Sequence, residues 1–308
     1  MSLVKSRLAV LLCTYNGGRY LAEQLNSIVV SDSVAGAIFV SDDGSCDNTP
    51  DVLAAFAAES MLPVEVRRGP SKGHAANFMS LVTAGDISAD YFAYADQDDF
   101  WDEDKLDRAI GRLQVVDPAL PALYCSRTRT VSAHGVNEGK SPLFARAPSF
   151  ANAVIQNIAG GNTMVFNRAA RELLQRAGEV DVVSHDWWTY MLVSGAGGSV
   201  IYDPQPSLSY RQHAGNSIGA NTGLRNRSQR YLGFLSGRNR EWNARNLIAL
   251  NSAAEFFTPE NRDVLARFEE LRSGGLLRRL KALRHGGFYA QTTTGNLGLL
   301  AATLLKKI

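Results

Sequence analysis

Apolar residues in this chain fall into short blocks, and each block is ended by polar, turn-forming residues. Leu8 to Cys13 (LAVLLC) is an unbroken apolar run closed by Thr14-Tyr15-Asn16-Gly17-Gly18. Such a run predicts a strand buried on both faces, the kind found in parallel sheets. Leu21, Leu25 and Ile28 then recur at helical spacing. Ala37 to Val40 predicts a second strand, stopped by Ser41-Asp42-Asp43-Gly44-Ser45. Thr49 and Pro50 read as the cap and first position of the next helix, with Val52, Leu53 and Phe56 on its inner face. A third strand is predicted at Val64 to Val66, followed by a loop from Gly69 to Gly73 and a helix carrying Phe78, Leu81 and Val82. Tyr91 to Ala95 makes a fourth strand and runs into Asp96-Gln97-Asp98-Asp99-Phe100-Trp101, and Leu106, Ala109, Ile110 and Leu113 mark the helix after it. This alternation over about the first 115 residues predicts an α/β domain with a mainly parallel sheet. Ligands of such sheets bind beyond the carboxyl ends of the strands. The loops after strands one, two and four are the ones rich in polar residues and glycine.

Past residue 120 the pattern loosens. Tyr124 to Val131 and Asn162 to Phe166 read as strands, and Ala169 to Arg176 and Asp186 to Val193 as helices. Short strands follow at Val200 to Tyr202 and Leu208 to Arg211, and from about Leu224 the chain is helical and rich in arginine. No internal repeat or low-complexity segment interrupts it.

Composition narrows the classes. A chain of 308 residues with 45% hydrophobic and 20% charged residues is globular and can bury a large core. The formal net charge of +2 gives no general electrostatic case for nucleic acid, so an anionic ligand must be held by a local site. Cys13, Cys46 and Cys125 are far apart and lack metal or redox spacing, which points to a reducing cytoplasm. Residues 1 to 7 are short and polar, so no secretory signal is expected. No window approaches the roughly 18 consecutive apolar residues of a membrane span.

Asp96, Asp98 and Asp99 at one strand end repel one another unless a cation or basic group joins them. Oxygen-rich sites of this kind suit Mg²⁺ or Mn²⁺ sharing a substrate diphosphate. The same acidic turn could equally cap the helix that follows. Asp42-Asp43-Gly44-Ser45 alone reads as a plain turn. On the same sheet edge as Asp96 to Asp99, it reads better as part of one ligand site. Asp186 opens a helix, where a carboxylate serves either as a cap or as a general base.

Five motifs, in order, resemble the family 2 glycosyltransferases. They are CTYNG (Cys13 to Gly17), SDDGSCDNT (Ser41 to Thr49), the YADQDDFW segment ending at Trp101, SHDWW (Ser184 to Trp188) and YRQHAGNSIG (Tyr210 to Gly219). The resemblance implies a GT-A fold: a mainly parallel α/β sheet flanked by helices. It implies a catalytic domain over 1–223, with a nucleotide-sugar half to about 115 and an acceptor half from 116, and a helical C-terminal extension over 224–308. It implies inverting transfer of a sugar from a nucleotide diphosphate to an acceptor hydroxyl, supported by Mn²⁺ or Mg²⁺. In that scheme Thr14, Tyr15 and Asn16 line the nucleoside pocket, Asp43 accepts from a pyrimidine base, and Asp96 faces the ribose and metal. Asp98 is a direct metal ligand, and His213 stands near the metal or diphosphate. Asp186 is the base, and Gly161, Asn162 and Trp187 border the acceptor. Gly160-Gly161-Asn162 is otherwise a plain tight turn, Arg211 either balances phosphate charge or sits at an exposed strand end, and His185 is either functional or a surface neighbour.

HDWW followed by YRQH is most similar to the bacterial rhamnosyltransferases of surface-polysaccharide synthesis. That implies dTDP-rhamnose as donor and a saccharide or lipid-linked saccharide as acceptor; a UDP-hexose is the competitor. The tail, with Leu276 to Arg284, Leu297 to Leu305 and Lys306-Lys307, reads either as packing helices or as a peripheral contact on the inner face of the plasma membrane. A nucleotidyltransferase would carry an Arg- and Lys-rich loop after the first strand, and an aspartyl phosphatase a D-x-D-x-T there. Neither is present. A catalytically inactive sugar-nucleotide-binding module would have no need of both Asp98 and Asp186.

Overall fold

The computed structural model describes residues 5–213 and 238–308. The strands of its first half are β1 (Ser6–Thr14), β2 (Val34–Asp42), β3 (Val64–Arg68) and β4 (Tyr91–Ala95), alternating with α1 (Leu21–Asn26), α2 (Thr49–Glu59) and α3 (His74–Thr83). After β5 (Phe100–Trp101) and α4 (Lys105–Leu113) come β6 (Ala122–Ser126), β7 (Arg129–Ser132) and β8 (Asn137–Lys140). Next are α5 (Phe150–Ala153), β9 (Val165–Asn167), α6 (Arg168–Ala177), α7 (His185–Gly195), β10 (Ser199–Asp203) and β11 (Leu208–Gln212). The described tail holds α8 (Arg238–Ser252), α9 (Pro259–Ser273), α10 (Leu276–His285) and α11 (Thr293–Leu305).

The main sheet has seven strands in the order β10-β6-β9-β4-β1-β2-β3. All its pairings are parallel except those of β9 with β4 and β6. Leu8 to Leu12 of β1 are wholly buried, as a strand between two parallel neighbours and two helical layers must be. One core lies on each face of the sheet. The larger core joins Phe78, Phe92, Tyr94 and Trp188 to Leu265, Phe268, Leu271 and Leu299 of the tail. The inner faces of the tail helices therefore join the core on this side of the sheet, with α9 against α5 and α8 against α7. The expected boundary at 223/224 and the Gly215-to-Gly219 end of the last motif lie outside the described residues.

Three expectations shift. Tyr124 to Val131 is two strands, not one, because the chain leaves the main sheet after Ser126 and enters a second sheet ordered β5-β11-β7-β8. The step is held by Ser126 Oγ against Ser207 Oγ at 2.6 Å and by Arg127 Nη2 donating to the Ser141 carbonyl at 2.6 Å. Asn162 does not begin a strand; Gly161–Thr163 is a turn of 3-10 helix, and the strand starts at Val165. Thr49 opens α2 rather than capping it, with Asn48 before it and Pro50 in the first turn. No helix among the described residues is long and apolar enough to cross a membrane.

Candidate functional site

The ends of β1, β2 and β4 meet at one edge. Each loop there is tied to its neighbour by a side chain satisfying backbone. Thr14 is buried and its hydroxyl donates to Asp42 at 2.8 Å. Tyr15 is largely exposed, and its amide donates to Gln97 Oε1 at 2.8 Å while Gln97 Nε2 returns a bond to its carbonyl at 3.1 Å. A Cβ on Gly17 would fall 2.2 Å from that same Gln97 oxygen, so only glycine admits this clasp. Asn16 takes a left-handed conformation and accepts from the Cys46 amide at 2.8 Å.

Asp43 is buried. Its carboxylate accepts from the amides of Ser71 at 2.6 Å and Gly73 at 2.8 Å, which folds the loop before α3 over the end of β2. Gly73 has φ of +88°, a turn that favours glycine. Asn77 of α3 fastens the same junction from below, bonding Ser41 through both ends of its amide.

The loop after β4 is different in kind. Asp99 is fully buried, accepts from Asn162 Nδ2 at 2.5 Å and lies 3.4 Å from the Arg211 amide. Burial and the charges of Asp98 and Asp96 push its carboxyl well above the usual carboxylate range. Asp98 is raised by burial and then by Asp96, against the pull of His213. His213 Nε2 lies 2.8 Å from Asp98 Oδ2. Arg211 is buried rather than at an exposed strand end; its guanidinium stands over the Tyr20 ring at 4.7 Å and donates to the Asp98 carbonyl at 3.2 Å.

Facing the loop after β4 through His74, α7 begins with His185 and Asp186. Asp186 is partly exposed; it accepts from the Gly161 amide at 3.2 Å and from the Trp187 amide at 2.6 Å. Its carboxyl is raised by burial, against the opposing bonds from Ser184 and Trp187 and the nearby His74 charge. His185 is a buried residue, not a surface neighbour. Its ring stacks on Phe78 at 3.8 Å, and Tyr94 meets it edge-on at 4.7 Å. A Cβ on Gly161 would lie 2.5 Å from His185 Nε2, so the turn beneath Asp186 must be glycine. Trp187 and Trp188 are both buried, and the Trp187 indole donates to the Ala153 carbonyl at 2.6 Å; neither ring has much surface toward the cleft.

His74, which sequence reasoning passed over, joins the two sides. Its Nε2 lies 3.5 Å from Asp96 Oδ1, and its ring meets His185 at 5.0 Å. Burial would lower its pKa, but the neighbouring Asp96, Asp186 and Asp98 carboxylates outweigh it and raise it. Gln97 was also passed over. The glycine-bounded loop at 69–73 and the position of Gln97 between two aspartates were the available signals.

Among the described residues no group of three or more His, Cys, Asp or Glu side chains is placed to hold a metal ion. Asp98 and His213 offer one carboxylate and one imidazole, a set that suits a divalent cation completing its shell with phosphate oxygens and water.

The Glycosyl transferase family 2 model matches residues 9–174, more than half of the chain. The chain belongs to this family. It is a glycosyltransferase with the GT-A fold, as expected. The dTDP-rhamnosyl transferase RfbG of Shigella flexneri is 28% identical over 231 residues, 71% of this chain and 77% of that protein. A mannosyltransferase of Pyrobaculum calidifontis, solved with GDP-Man and Mn²⁺, superposes with a TM-score of 0.53 at 19% identity, covering 99% of this chain and 89% of that one. TarS of S. aureus, solved with UDP-GlcNAc, does so with a TM-score of 0.53 at 14% identity, covering 90% and 79%. The family match takes in the loops after β1, β2 and β4 and the Gly161 turn, but stops before Asp186 and His213.

Proposed function

We propose that this family 2 glycosyltransferase works by inversion, moving a sugar from a nucleotide diphosphate to an acceptor hydroxyl with Asp186 as general base. The observation carrying this reading is the placement of Asp186. It is partly exposed, anchored by two amides, and near enough for its charge to act on His74, which itself meets Asp96 after β4. In the transfer, the acceptor oxygen bonds to the anomeric carbon as the bond from that carbon to the diphosphate oxygen breaks. The hydroxyl proton passes to Asp186, and the electron pair of the broken bond leaves with the nucleotide. The amide bonds keep one Asp186 rotamer, and the absence of a side chain on Gly161 lets its amide come close enough to make one of them.

Asp98 and His213 would hold Mn²⁺ or Mg²⁺, and a bound ion would neutralise charge growing on the diphosphate. Thr14, Tyr15 and Asn16 shape the nucleoside end. Asp43 already uses lone pairs on Ser71 and Gly73, and its remaining lone pairs suit the N3–H of a pyrimidine base. Asp96, held toward His74, is set to face the ribose and metal. Asn162 is committed to Asp99, so its acceptor role is to set the Gly161 turn.

The donor we infer is dTDP-L-rhamnose, and the acceptor a saccharide or lipid-linked saccharide of a bacterial surface polysaccharide. The relationship to the Shigella rhamnosyl transferase supports this over a UDP-hexose. The test is a binding and transfer screen of UDP, dTDP and GDP sugars, each with and without Mn²⁺ or Mg²⁺. Metal-dependent binding of dTDP-rhamnose above the others is expected; absence of metal-dependent binding to every nucleotide sugar would overturn the reading.

A further inference from the structure

The two last helices present an outer surface that the packing among the described residues leaves unused. On α11 the inner face, Leu299, Ala302 and Thr303, is buried against the body. The outer face carries Leu297, Leu300, Leu304 and Leu305, exposed by 63%, 40%, 48% and 57%. Their spacing places them on one side of the helix, with Ala301 between them, as a continuous apolar stripe. A helix apolar on both faces is expected only where both faces are covered. α10, packed beside it, exposes Leu276 and Leu277, the latter by 82%.

The charge within residues 276–308 has one sign. Residues 276–308 contain six lysines and arginines, Arg278, Arg279, Lys281, Arg284, Lys306 and Lys307, and no aspartate or glutamate. Of these Arg279 is buried, and the others lie toward solvent or at the helix end. Between α9 and α10, Arg267, Arg278, Lys281 and His285 border a cleft of about 370 Å³ in which Glu270 is the acidic wall residue.

We propose that α10 and α11 dock this glycosyltransferase on an anionic lipid bilayer, with the leucine stripe of α11 in the interface and the cations on phosphate headgroups. A stripe of leucines flanked by lysine and arginine without acids is the pattern of interfacial helices. Each basic residue near an anionic surface adds to the binding and is screened by salt. A second copy of the chain is the poorer occupant, because pairing two such surfaces brings like charges together. The surface chemistry is independent of the sugar moved, so failure here leaves the proposed transfer standing.

The test uses the full chain and sedimentation with vesicles, either pure phosphatidylcholine or phosphatidylcholine with about a quarter phosphatidylglycerol. The chain is expected to sediment with the anionic vesicles, to stay in solution with the neutral ones, and to be released by salt. Leu300→Asp with Leu304→Asp should cut binding at least about tenfold at unchanged melting temperature, since both side chains are exposed. Lys306→Glu with Lys307→Glu, beyond the last turn of α11, should also weaken binding and gives a second reading if the first variant folds poorly. No sedimentation of the unaltered chain, or equal sedimentation of both variants, would overturn the proposal. So would a concentration-dependent dimer that the leucine variant abolishes.

Discussion

The acidic groups after β2 and after β4 lie on the same sheet edge but carry their charge in different ways. After β2, Asp42, Asp43 and Asp47 are surrounded by donors. Asp42 takes the hydroxyls of Thr14 and Ser45 and the Ser45 amide, and Asp43 takes two amides of the loop before α3. Burial works to raise Asp47, but bonds from Thr49 and the Gly18 amide bring it below its ordinary value. After β4, Asp98 and Asp99 are desolvated beside Asp96 and are both pushed upward. Carboxylates bonded to amides build the loops; carboxylates crowded without enough donors are the ones that gain from a cation. Asp186 stands between the two kinds, anchored by amides yet raised by burial. That combination suits a base that must be fixed in place and still take a proton.

The sharpest test of this contrast is at Asp186. Asp186→Asn keeps the size and should lower the transfer rate by about a thousandfold while nucleotide-sugar binding, followed by calorimetry, stays nearly unchanged. Unaltered turnover would remove Asp186 from the chemistry. The same carboxyl sets an expected pH profile. Because burial raises it, the acid limb of kcat/KM should lie above the ordinary aspartate value of about 3.9, with activity rising as Asp186 loses its proton. A limb at the ordinary value would contradict the assignment.

Asp98→Ala should remove most of the metal dependence of nucleotide binding, a loss of about a hundredfold read with and without Mn²⁺. In contrast, Asp43→Ala should cost about 2 kcal/mol of stability in denaturant titrations, whether or not metal is present, because two amides lose a charged acceptor. If the Asp43 variant lost metal response and the Asp98 variant lost stability, the distinction between the two groups would be reversed. The smallest effect is expected at His213→Ala, about tenfold weaker metal-supported binding, consistent with an ion that keeps other ligands.

Much of the edge is legible along the chain. The run Leu8 to Cys13, its stop at Thr14 to Gly18, and the acidic turns at 42–43 and 96–99 follow from local rules of burial and turn chemistry. The pairings that give those residues their roles span long separations. Asn162 meets Asp99, Arg211 backs Asp98, and His213 reaches Asp98 from the end of β11. His74 and Gln97 were missed for the same reason: nothing near them in the chain reveals Asp96 and Tyr15 as their partners. The division of Tyr124 to Val131 between two sheets also escaped periodicity, because Thr128, Thr130 and Val131 continue the strand-forming residues that begin at Tyr124.

By itself the sequence determined the alternating α/β order, the strand ends that carry the polar loops, and a motif series sufficient to identify a family 2 glycosyltransferase. These depend on residues close together in the chain, where hydrophobic period and turn preference act directly. Only the tertiary structure decided which carboxylates are spent on holding loops and which remain strained by one another. It also sent His185 and both tryptophans inward and left one face of α11 bare. Desolvation and hydrogen-bond supply depend on what the fold brings alongside, and neither is written in the neighbouring residues.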